Sequence, residues 1–328
     1  MGNKLSRDVL HLDETAEVAR ITERLRHIVR TDLRKRGLII AMSGGIDSSV
    51  CAALAVRALG APRVFGLLLP ERDSSAASGQ RGRLLAEHLG IEYAVEDIAP
   101  ALEAIGCYRW RDAAIRSAFP DYGSGWKNKI VIAGGLEGGI NYFKLVVQTP
   151  AGEMRERRLE LKDYLQIVAA TNYKQRLRKT IEYFHADRLN YGVIGTPNRL
   201  EYDQGFFVKN GDGSADVKPI AHLYKSQVYA LARHLGLPAE ICGAVPTTDT
   251  YSLSQGQDEF YFALPYADMD LALWAYNHNV PAADLAGVLK LETARAELVY
   301  QDIERKRSTT QYLHAHPSLV EPVAEVHG

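Results

Sequence analysis

The fold of this chain is decided by one stretch, Leu38-Ile39-Ile40-Ala41-Met42-Ser43-Gly44-Gly45-Ile46-Asp47-Ser48. It opens with a short continuous apolar run, which is typical of a strand buried in a parallel sheet. A turn rich in glycine and serine follows. Residues 50–59 then have the length and apolarity of a helix, and Gly60 closes them because glycine commonly ends helices. The stretch therefore predicts a buried strand, a tight turn and a helix.

The same alternation of strands and helices continues outward from this stretch. Strands are predicted at residues 64–70, 92–98 and 191–196, and helices at residues 75–89 and 171–189. Right-handed crossovers between parallel strands place such helices over the sheet. The pattern therefore predicts an α/β fold, a doubly wound parallel sheet with helices on both faces.

Two more helices flank this alternation. An apolar stripe capped by Asp13 predicts a helix that runs to about Arg36, and residues 224–235 predict another that ends before Gly236. We expect one domain over residues 1–313 and a flexible tail over residues 314–328.

One segment, residues 120–161, interrupts the alternation. It contains the run Gly134-Gly135-Leu136-Glu137-Gly138-Gly139, followed by two strand-like segments at residues 142–149 and 155–161. Pro150-Ala151-Gly152-Glu153 separates these segments and is typical of a turn. The segment therefore predicts an inserted β-hairpin.

The composition narrows the class of protein. Lysine plus arginine (39) balances aspartate plus glutamate (40), so nothing in the net charge of -1 favours nucleic acid or a membrane surface as a partner. No apolar stretch approaches the roughly 20 residues that span a bilayer. Cys51, Cys107 and Cys242 lack the spacing of a metal site and indicate reduced thiols. We therefore expect a cytoplasmic protein.

The turn at residues 43–48 has the chemistry of a phosphate loop. Its glycines let the backbone approach phosphate, and the first turn of the next helix offers N–H groups and a positive dipole end. Ser43 and Ser48 add hydroxyl donors. Asp47 would repel phosphate, and its presence is explained if it binds a magnesium ion that bridges the phosphates. The alternative is a glycine-rich turn with no ligand.

A second motif follows the predicted strand at residues 191–196. It consists of Gly195-Thr196-Pro197-Asn198-Arg199-Leu200-Glu201 and then residues 205–216, which include Phe206, Phe207 and Asp212. Open α/β sheets bind ligands at the carboxyl ends of their strands. An aromatic pair beside carboxylates suits a flat ring with a polar edge. The alternative is a surface loop with both phenylalanines in the core.

These motifs resemble a known family. Residues 43–48 resemble the signature of the N-type ATP pyrophosphatases, which cleave ATP between the α and β phosphates. G-T-x-N-x-x-E at residues 195–201, with G-x-F-x-K-x-G-D-G-x-A-D at residues 205–216, resembles the NAD synthetases within that group. Further matching segments follow the same order, at residues 172–178, 219–228, 246–249, 257–259 and 266–270. The resemblance implies an adenine nucleotide alpha hydrolase-like fold.

The resemblance also implies roles for individual residues. Asp47 and Glu201 would bind magnesium, and Phe206 and Asp212 would frame the pyridine end of deamido-NAD. Asp47, Lys225 and Thr247 would be catalytic because they act where pyrophosphate leaves. The implied ATP-binding residues are Ser43, Gly44, Gly45, Ile46, Asp47, Ser48, Arg178, Thr196, Lys225 and Thr247.

The implied activity is that of a carbon–nitrogen ligase with ATP and Mg²⁺ as cofactors. It would adenylate the carboxylate of deamido-NAD and transfer ammonia to give NAD, AMP and pyrophosphate. We expect free ammonia, or ammonia from a separate partner, and a homodimer. Two alternatives stay open: a related synthetase that amidates a different carboxylate, and a nucleotide-binding regulator without activity, whose mark would be the loss of Asp47 or Glu201.

Three departures from the family pattern concern the acceptor substrate. Glu304-Arg305-Lys306-Arg307 lacks the histidine that often precedes Lys-Arg in the family, and Pro197 stands where an aspartate is common. The third departure is the insertion at residues 120–161, which we expect to shape the acceptor site without being needed for ATP binding. A surface hairpin or a dimer contact is the alternative. We also expect Asp47→Ala to leave the fold intact.

Overall fold

A parallel sheet and a smaller antiparallel sheet organise the computed structural model, which describes residues 5–133, 142–244, 251–253, 261 and 264–324. The strands are β1 (Leu38–Ala41), β2 (Val64–Leu68), β3 (Glu92–Val95), β4 (Lys127–Ala133), β5 (Tyr142–Gln148), β6 (Met154–Arg158) and β7 (Gly192–Val193). The parallel sheet has the order β3-β2-β1-β7, and the antiparallel sheet has the order β4-β5-β6. The expected parallel sheet is confirmed.

The helices follow the predicted alternation. They are α1 (Glu14–His27), α2 (Ile46–Leu59), α3 (Ala76–Leu89), α4 (Ala99–Ala104), α5 (Cys107–Ala118), α6 (Leu161–Leu189), α7 (Arg199–Gln204), α8 (Lys225–His234), α9 (Ala239–Cys242), α10 (Tyr266–Asn277), α11 (Ala282–Leu289) and α12 (Thr293–His314). None of the described helices combines the length and apolarity that a bilayer crossing requires.

Helices cover both faces of the parallel sheet. On one face, Ile40 of β1 packs in a buried core with residues of α1, α2 and α8. On the other face, Ile39 of the same strand packs in a second core with residues of α4, α5 and α6. Neighbouring residues of β1 therefore serve opposite cores, as expected for a doubly wound fold.

The inserted segment forms more structure than the sequence predicts. The expected hairpin is confirmed as β5 and β6, and β4 adds a third strand that pairs antiparallel with β5. Ile130, Leu145 and Val147 bury the inner face of this sheet against α5 and α6. The β-branched run Ile130-Val131-Ile132 is the sequence signal for β4.

Some predicted boundaries were wrong. The first helix ends as a π-helical turn over Ile28–Asp32 and stops short of Arg36, because Arg34 adopts a left-handed backbone with φ 53°. Helix α6 begins at Leu161, ten residues before its predicted start at residue 171, because Ile167 and Ala170 continue its buried face. Strand β7 is shorter than predicted, and beyond it Ile194 makes a single bridge to Val217.

Candidate active site

A cavity of about 1010 Å³ opens at the carboxyl ends of the parallel strands, where open α/β sheets bind ligands. Residues from different parts of the sequence meet there. Among the predicted site residues, the cavity is lined by Ser43, Gly45, Ile46, Asp47, Ser48, Arg178, Thr196, Glu201, Phe206, Asp212 and Lys225. Gly44 is not among the lining residues, and Thr247 falls outside the described residues.

The loop between β1 and α2 requires glycine at position 44. Gly44 has a φ of 74°, which side-chain-bearing residues rarely adopt. A Cβ atom there would also lie 2.4 Å from the carbonyl oxygen of Ser78. The Nε atom of Arg81 donates to the carbonyl oxygen of Gly44 at 2.8 Å. These contacts fix the turn that connects β1 to α2.

The start of α2 presents hydrogen-bond donors to the cavity. Gly45 is the N-cap and has no side chain to cap the first N–H groups of the helix. The hydroxyls of Ser43 and Ser48 lie 3.2 Å apart beside this helix end. Uncapped N–H groups, the helix dipole and two hydroxyls together favour an anion of phosphate size.

A buried ion pair joins this loop to α8. The Nζ atom of Lys225 donates to Oδ2 of Asp47, and the two side chains are 2% and 16% exposed. Burial opposes the charge on Lys225, but the carboxylates of Asp47 and Glu201 outweigh burial and raise the pKa of Lys225. The ammonium is therefore held positive at the edge of the proposed phosphate site.

The backbone of α8 is held at the same point. The buried carboxylate of Asp270 on α10 accepts hydrogen bonds from the backbone N–H groups of Lys225 at 3.2 Å and Ser226 at 2.8 Å. Burial raises the pKa of Asp270 to about 6 despite these bonds. Asp270 thus caps α8 from a distant helix and fixes the position of Lys225.

Asn198 connects the two proposed metal ligands, and the sequence analysis did not assign it a role. Its Nδ2 atom donates to Oδ1 of Asp47 at 3.1 Å. Its Oδ1 atom accepts from the backbone N–H groups of Leu200 and Glu201, and Oε2 of Glu201 accepts from the backbone N–H of Asn198 at 3.2 Å. This reciprocal pattern is a capping box. The Asn-x-x-Glu spacing is the sequence signal that identifies it.

The acidic residues of the cavity suit a magnesium ion that arrives with phosphates. Asp47 and Glu201 offer carboxylate oxygens, the ligands that magnesium prefers. Among the described residues no group of three or more histidine, cysteine or acidic side chains forms a complete metal cage. Magnesium usually takes one or two carboxylates together with substrate phosphates. Two carboxylates next to a phosphate-binding helix end therefore fit the ion.

Helix α6 lines the cavity with charged residues. The Nε atom of Arg178 donates to the carbonyl oxygen of Leu69 at the end of β2, 3.3 Å away. Lys179 and Glu182 form a buried ion pair of 2.7 Å, and burial raises the pKa of Glu182 although Lys179 opposes the shift. These contacts place the guanidinium of Arg178 at the carboxyl edge of the parallel sheet.

A buried charged cluster, which the sequence analysis did not predict, supports this part of α6. The Nζ atom of Lys174 lies 2.9 Å from Oε1 of Glu71 and 2.7 Å from Oδ2 of Asp73. The guanidinium of Arg111 on α5 lies 2.6 Å from the same Asp73 oxygen. The cluster ties the loop after β2, which lines the cavity, to α5 and α6.

The two-phenylalanine loop also reaches the cavity. Phe206 and Phe207 both line it, and the Phe206 ring lies 4.8 Å from the ring of Tyr261. Phe206 also packs against the core of α10–α12, as the alternative interpretation of the motif expects for this residue. Oδ1 of Asp212 accepts from the backbone N–H of Val208 at 2.7 Å, and burial raises the pKa of Asp212. Asp212 therefore shapes this loop.

The unusual run at residues 304–307 serves the structure of α12. Lys306 pairs with Asp302 at 2.6 Å, and Arg307 pairs with Asp203 of α7 at 2.6 Å. Further along the helix, Tyr312 lines the cavity. The end of α12 therefore borders the cavity, although the family histidine is missing from this run.

Comparison with known proteins identifies the family. The model of the family described as NAD synthase matches residues 17–117 and 137–312. The chain belongs to the NAD synthase family. This confirms the resemblance inferred from residues 43–48 and 195–216.

A relative in the NAD synthase family matches this chain along nearly its whole length. The NH(3)-dependent NAD(+) synthetase of Rhizobium meliloti (strain 1021) is 60% identical over 322 residues, which cover 98% of this chain and 96% of the relative. Two solved structures share the fold. The NMN synthetase from Francisella tularensis has a TM-score of 0.63 at 22% identity, covering 94% of this chain and 99% of that chain. The NH3-dependent NAD synthetase from Campylobacter jejuni has a TM-score of 0.61 at 21% identity, covering 95% and 100%.

Proposed function

We propose that this chain makes NAD by adenylating the carboxylate of deamido-NAD with ATP and then transferring ammonia to it. The observation that carries the proposal is the 60% identity, over nearly the whole chain, to a relative named as an NH(3)-dependent NAD(+) synthetase. The cavity supplies matching chemistry, because a helix N-terminus, a buried lysine and two carboxylates surround one space. The comparisons lend no support to a different carboxylate substrate.

ATP would bind with its phosphates at the start of α2. Ser43 and Ser48 would donate through their hydroxyls, and the turn at Gly44 and Gly45 would let the backbone approach the phosphate oxygens. Ile46 and Thr196 line the same space, and Arg178 lies at the end of β2. Thr247 keeps its proposed place on the leaving phosphates as a prediction from the family pattern.

Asp47 and Glu201 would hold magnesium, with Asn198 orienting both carboxylates. The ion, when bound, supplies positive charge that neutralises the phosphate oxygens. The chain itself supplies a second positive charge through Lys225, whose ammonium is fixed by Asp47 and by the Asp270 cap of α8. A preorganised cation is most effective where charge develops during the reaction.

The reaction would proceed in two steps. A carboxylate oxygen of deamido-NAD attacks the α-phosphorus of ATP, the bond to the bridging oxygen breaks, and pyrophosphate leaves with the electron pair. Lys225 and Arg178 would stabilise that leaving charge. Ammonia then attacks the acyl carbon, AMP leaves with the bonding electrons, and the nitrogen loses one proton to give the amide. Phe206 and Asp212 would frame the pyridine ring, and the enclosing walls would limit hydrolysis of the adenylate.

We further propose a cytoplasmic homodimer. Helix α6 carries an apolar stripe at four-residue spacing, in which Leu161 is 69% exposed and Leu165 is 54% exposed. Apolar patches of this kind are typical of protein–protein contacts. A second copy of the chain would bury this stripe.

The test is the release of AMP from ATP by the purified chain. We expect AMP and pyrophosphate to appear with deamido-NAD, magnesium and ammonium, and NAD to form in equal amount. Glutamine without ammonium should give no NAD. AMP release that does not depend on deamido-NAD would contradict the assignment of deamido-NAD as the acceptor. NAD formation from glutamine alone would contradict the assignment of ammonia as the nitrogen donor.

A further inference from the structure

The inserted sheet reaches the cavity through one cross-strand pair. Ile132 of β4 and Phe143 of β5 are direct partners in the antiparallel register, and both line the cavity. The pair on the same face that lies two residues deeper in the inserted sheet is Ile130 and Leu145, and both residues are fully buried against α5 and α6. Side chains two residues apart share a face of a sheet. The core face of the inserted sheet therefore extends beyond its own core and becomes a wall of the cavity.

An aromatic residue of α6 extends this wall. The ring of Tyr164 stacks on the ring of Phe143, with centroids 3.8 Å apart and planes at 10°. Val168, one helical turn further, also lines the cavity. Ile132, Phe143, Tyr164 and Val168 together form an apolar surface, called here the inserted wall. Phe143 is half-buried although its ring stacks on Tyr164.

The inserted wall lies far along α6 from Arg178. Tyr164 and Arg178 are on the same helix, and at 1.5 Å per residue their Cα atoms are separated by about 21 Å along its axis. Arg178 lies at the carboxyl edge of the parallel sheet beside Leu69. The wall therefore lies at the opposite end of the cavity-lining part of α6 from Arg178, which we propose to bind ATP.

Part of the wall is not shared with the family pattern. The NAD synthase model matches residues 17–117 and 137–312, so β4 with Ile132 falls between the two matched regions. Phe143, Tyr164 and Val168 fall within the second region. Strand β4 thus completes a wall whose other members the family pattern includes.

We propose that the inserted wall binds a flat heteroaromatic ring of the acceptor nucleotide and makes Ile132 and Phe143 specificity-determining residues. This rests on the proposed function, because deamido-NAD supplies such rings at both ends, a pyridine and an adenine. An aromatic side chain offers a stacking surface to either ring. The wall acts on acceptor affinity and leaves ATP affinity to the parallel sheet.

The test compares Ile132→Ala, Phe143→Leu and Phe143→Ala with the wild-type chain. We expect the KM for deamido-NAD to rise a few-fold for Ile132→Ala and roughly ten-fold or more for Phe143→Ala, since loss of an aromatic stacking partner weakens base binding by about that factor. The KM for ATP should not change. Val131→Ala is the matched control, because Val131 pairs with Lys144 on the opposite face of the same strands. Thermal melting establishes that each variant is folded, and Phe143→Leu keeps the apolar volume if Phe143→Ala does not fold.

A second acceptor distinguishes the two rings. Nicotinic acid mononucleotide keeps the pyridine and lacks the adenosine, so an unchanged KM for it assigns the wall to adenine, whereas a parallel rise assigns the wall to pyridine. An unchanged KM for deamido-NAD in Ile132→Ala and Phe143→Leu overturns the proposal, as does an equal rise in the KM for ATP. Calorimetric titration of deamido-NAD distinguishes a failure of the wall proposal from a failure of the proposed function. No turnover by the wild-type chain counts against that function, while equal binding by wild type and Phe143→Leu counts against the wall.

Discussion

The side-chain amide of Asn198 donates to the carboxylate of Asp47, with Nδ2 3.1 Å from Oδ1, although the two residues lie in different motifs. The same side chain caps α7, and its backbone N–H donates to Glu201. Asn198 therefore contacts both carboxylates that we propose as magnesium ligands, Asp47 through its side chain and Glu201 through its backbone N–H. Residues that orient metal ligands commonly affect activity almost as strongly as the ligands themselves.

We expect Asn198→Ala to reduce kcat by about 10- to 100-fold, since the side-chain amide that orients the Asp47 carboxylate is lost. It should also cost about 1–2 kcal/mol of unfolding free energy, because a helix cap disappears. Asp13→Ala is the control, since Asp13 caps α1 by accepting from the backbone N–H of Ala16. Steady-state rates and urea unfolding check both effects. Equal kcat losses in the two variants would count against an orienting role.

The pair of Asp47 and Lys225 changes the expectation that Asp47→Ala leaves the fold intact. Lys225 is almost completely buried, and removing Asp47 leaves its charge without the direct ion-pair partner. Breaking a buried ion pair typically costs about 3–5 kcal/mol. We therefore expect Asp47→Ala to lose both AMP release and stability, as measured by product assay and urea unfolding.

The double variant Asp47→Ala/Lys225→Met separates the two losses. It removes both charges, so we expect most of the unfolding free energy to return while AMP release stays absent. Glu156→Ala breaks an exposed pair with Lys144 and is the control for loss of a carboxylate. A double variant no more stable than Asp47→Ala would show that the buried charge is not the cause of the instability.

Asp270 should make stability depend on pH. Because burial raises its pKa from 3.8 to about 6, the folded chain holds this proton more tightly than the unfolded chain. The contribution to stability is therefore full below about pH 4 and is lost as pH rises through about 6. The shift corresponds to roughly 3 kcal/mol at 1.36 kcal/mol per pKa unit.

Asp270→Asn tests this directly, because asparagine cannot ionise. We expect the unfolding free energy of the wild-type chain, relative to Asp270→Asn, to fall between pH 4 and pH 7. Guanidinium unfolding at several pH values within that range measures the difference. A difference that stays constant, or that grows in favour of the wild-type chain with rising pH, would show that Asp270 ionises normally.

The apolar stripe on α6 predicts the state of association. Leu165→Glu places a charge in the centre of the proposed contact, so we expect the variant to be monomeric where the wild-type chain is dimeric. Leu319→Glu is the control, since Leu319 is an exposed leucine outside this helix. Light scattering with size-exclusion chromatography gives the masses. A wild-type monomer, or a dimeric Leu165→Glu variant, would contradict the proposed contact.

The sequence predicts the parallel sheet well because its signals are local. The apolar run at residues 38–42, the glycines after it and the cap at Asp13 each act within a few residues, and the structure confirms the elements they predict. The insertion was harder, since β4 pairs with β5 across the Gly134–Gly139 run, which lies outside the described residues. Only the short β-branched run of β4 indicates a strand.

The site was predictable where motifs follow one another along the chain, and less so where it depends on packing. Residues 43–48 and 195–201 meet because parallel strands end at one edge of the sheet. Nothing local in the sequence around Lys174 predicts that Glu71 and Asp73 surround it, because those partners come from a different strand end. The same holds for Phe143 and Tyr164, whose stacking depends on how the inserted sheet lies on α6.

Helix α6 runs unbroken from Leu161 to Leu189, and it carries Tyr164 of the inserted wall and Arg178 at the edge of the parallel sheet. The length of α6 therefore fixes the spacing between the two ends of the cavity. One residue added or removed between them would turn one end by about 100° and shift it by about 1.5 Å relative to the other. Substitutions along this helix alter single contacts, whereas a change in its length would rotate and shift the whole inserted wall relative to the nucleotide site.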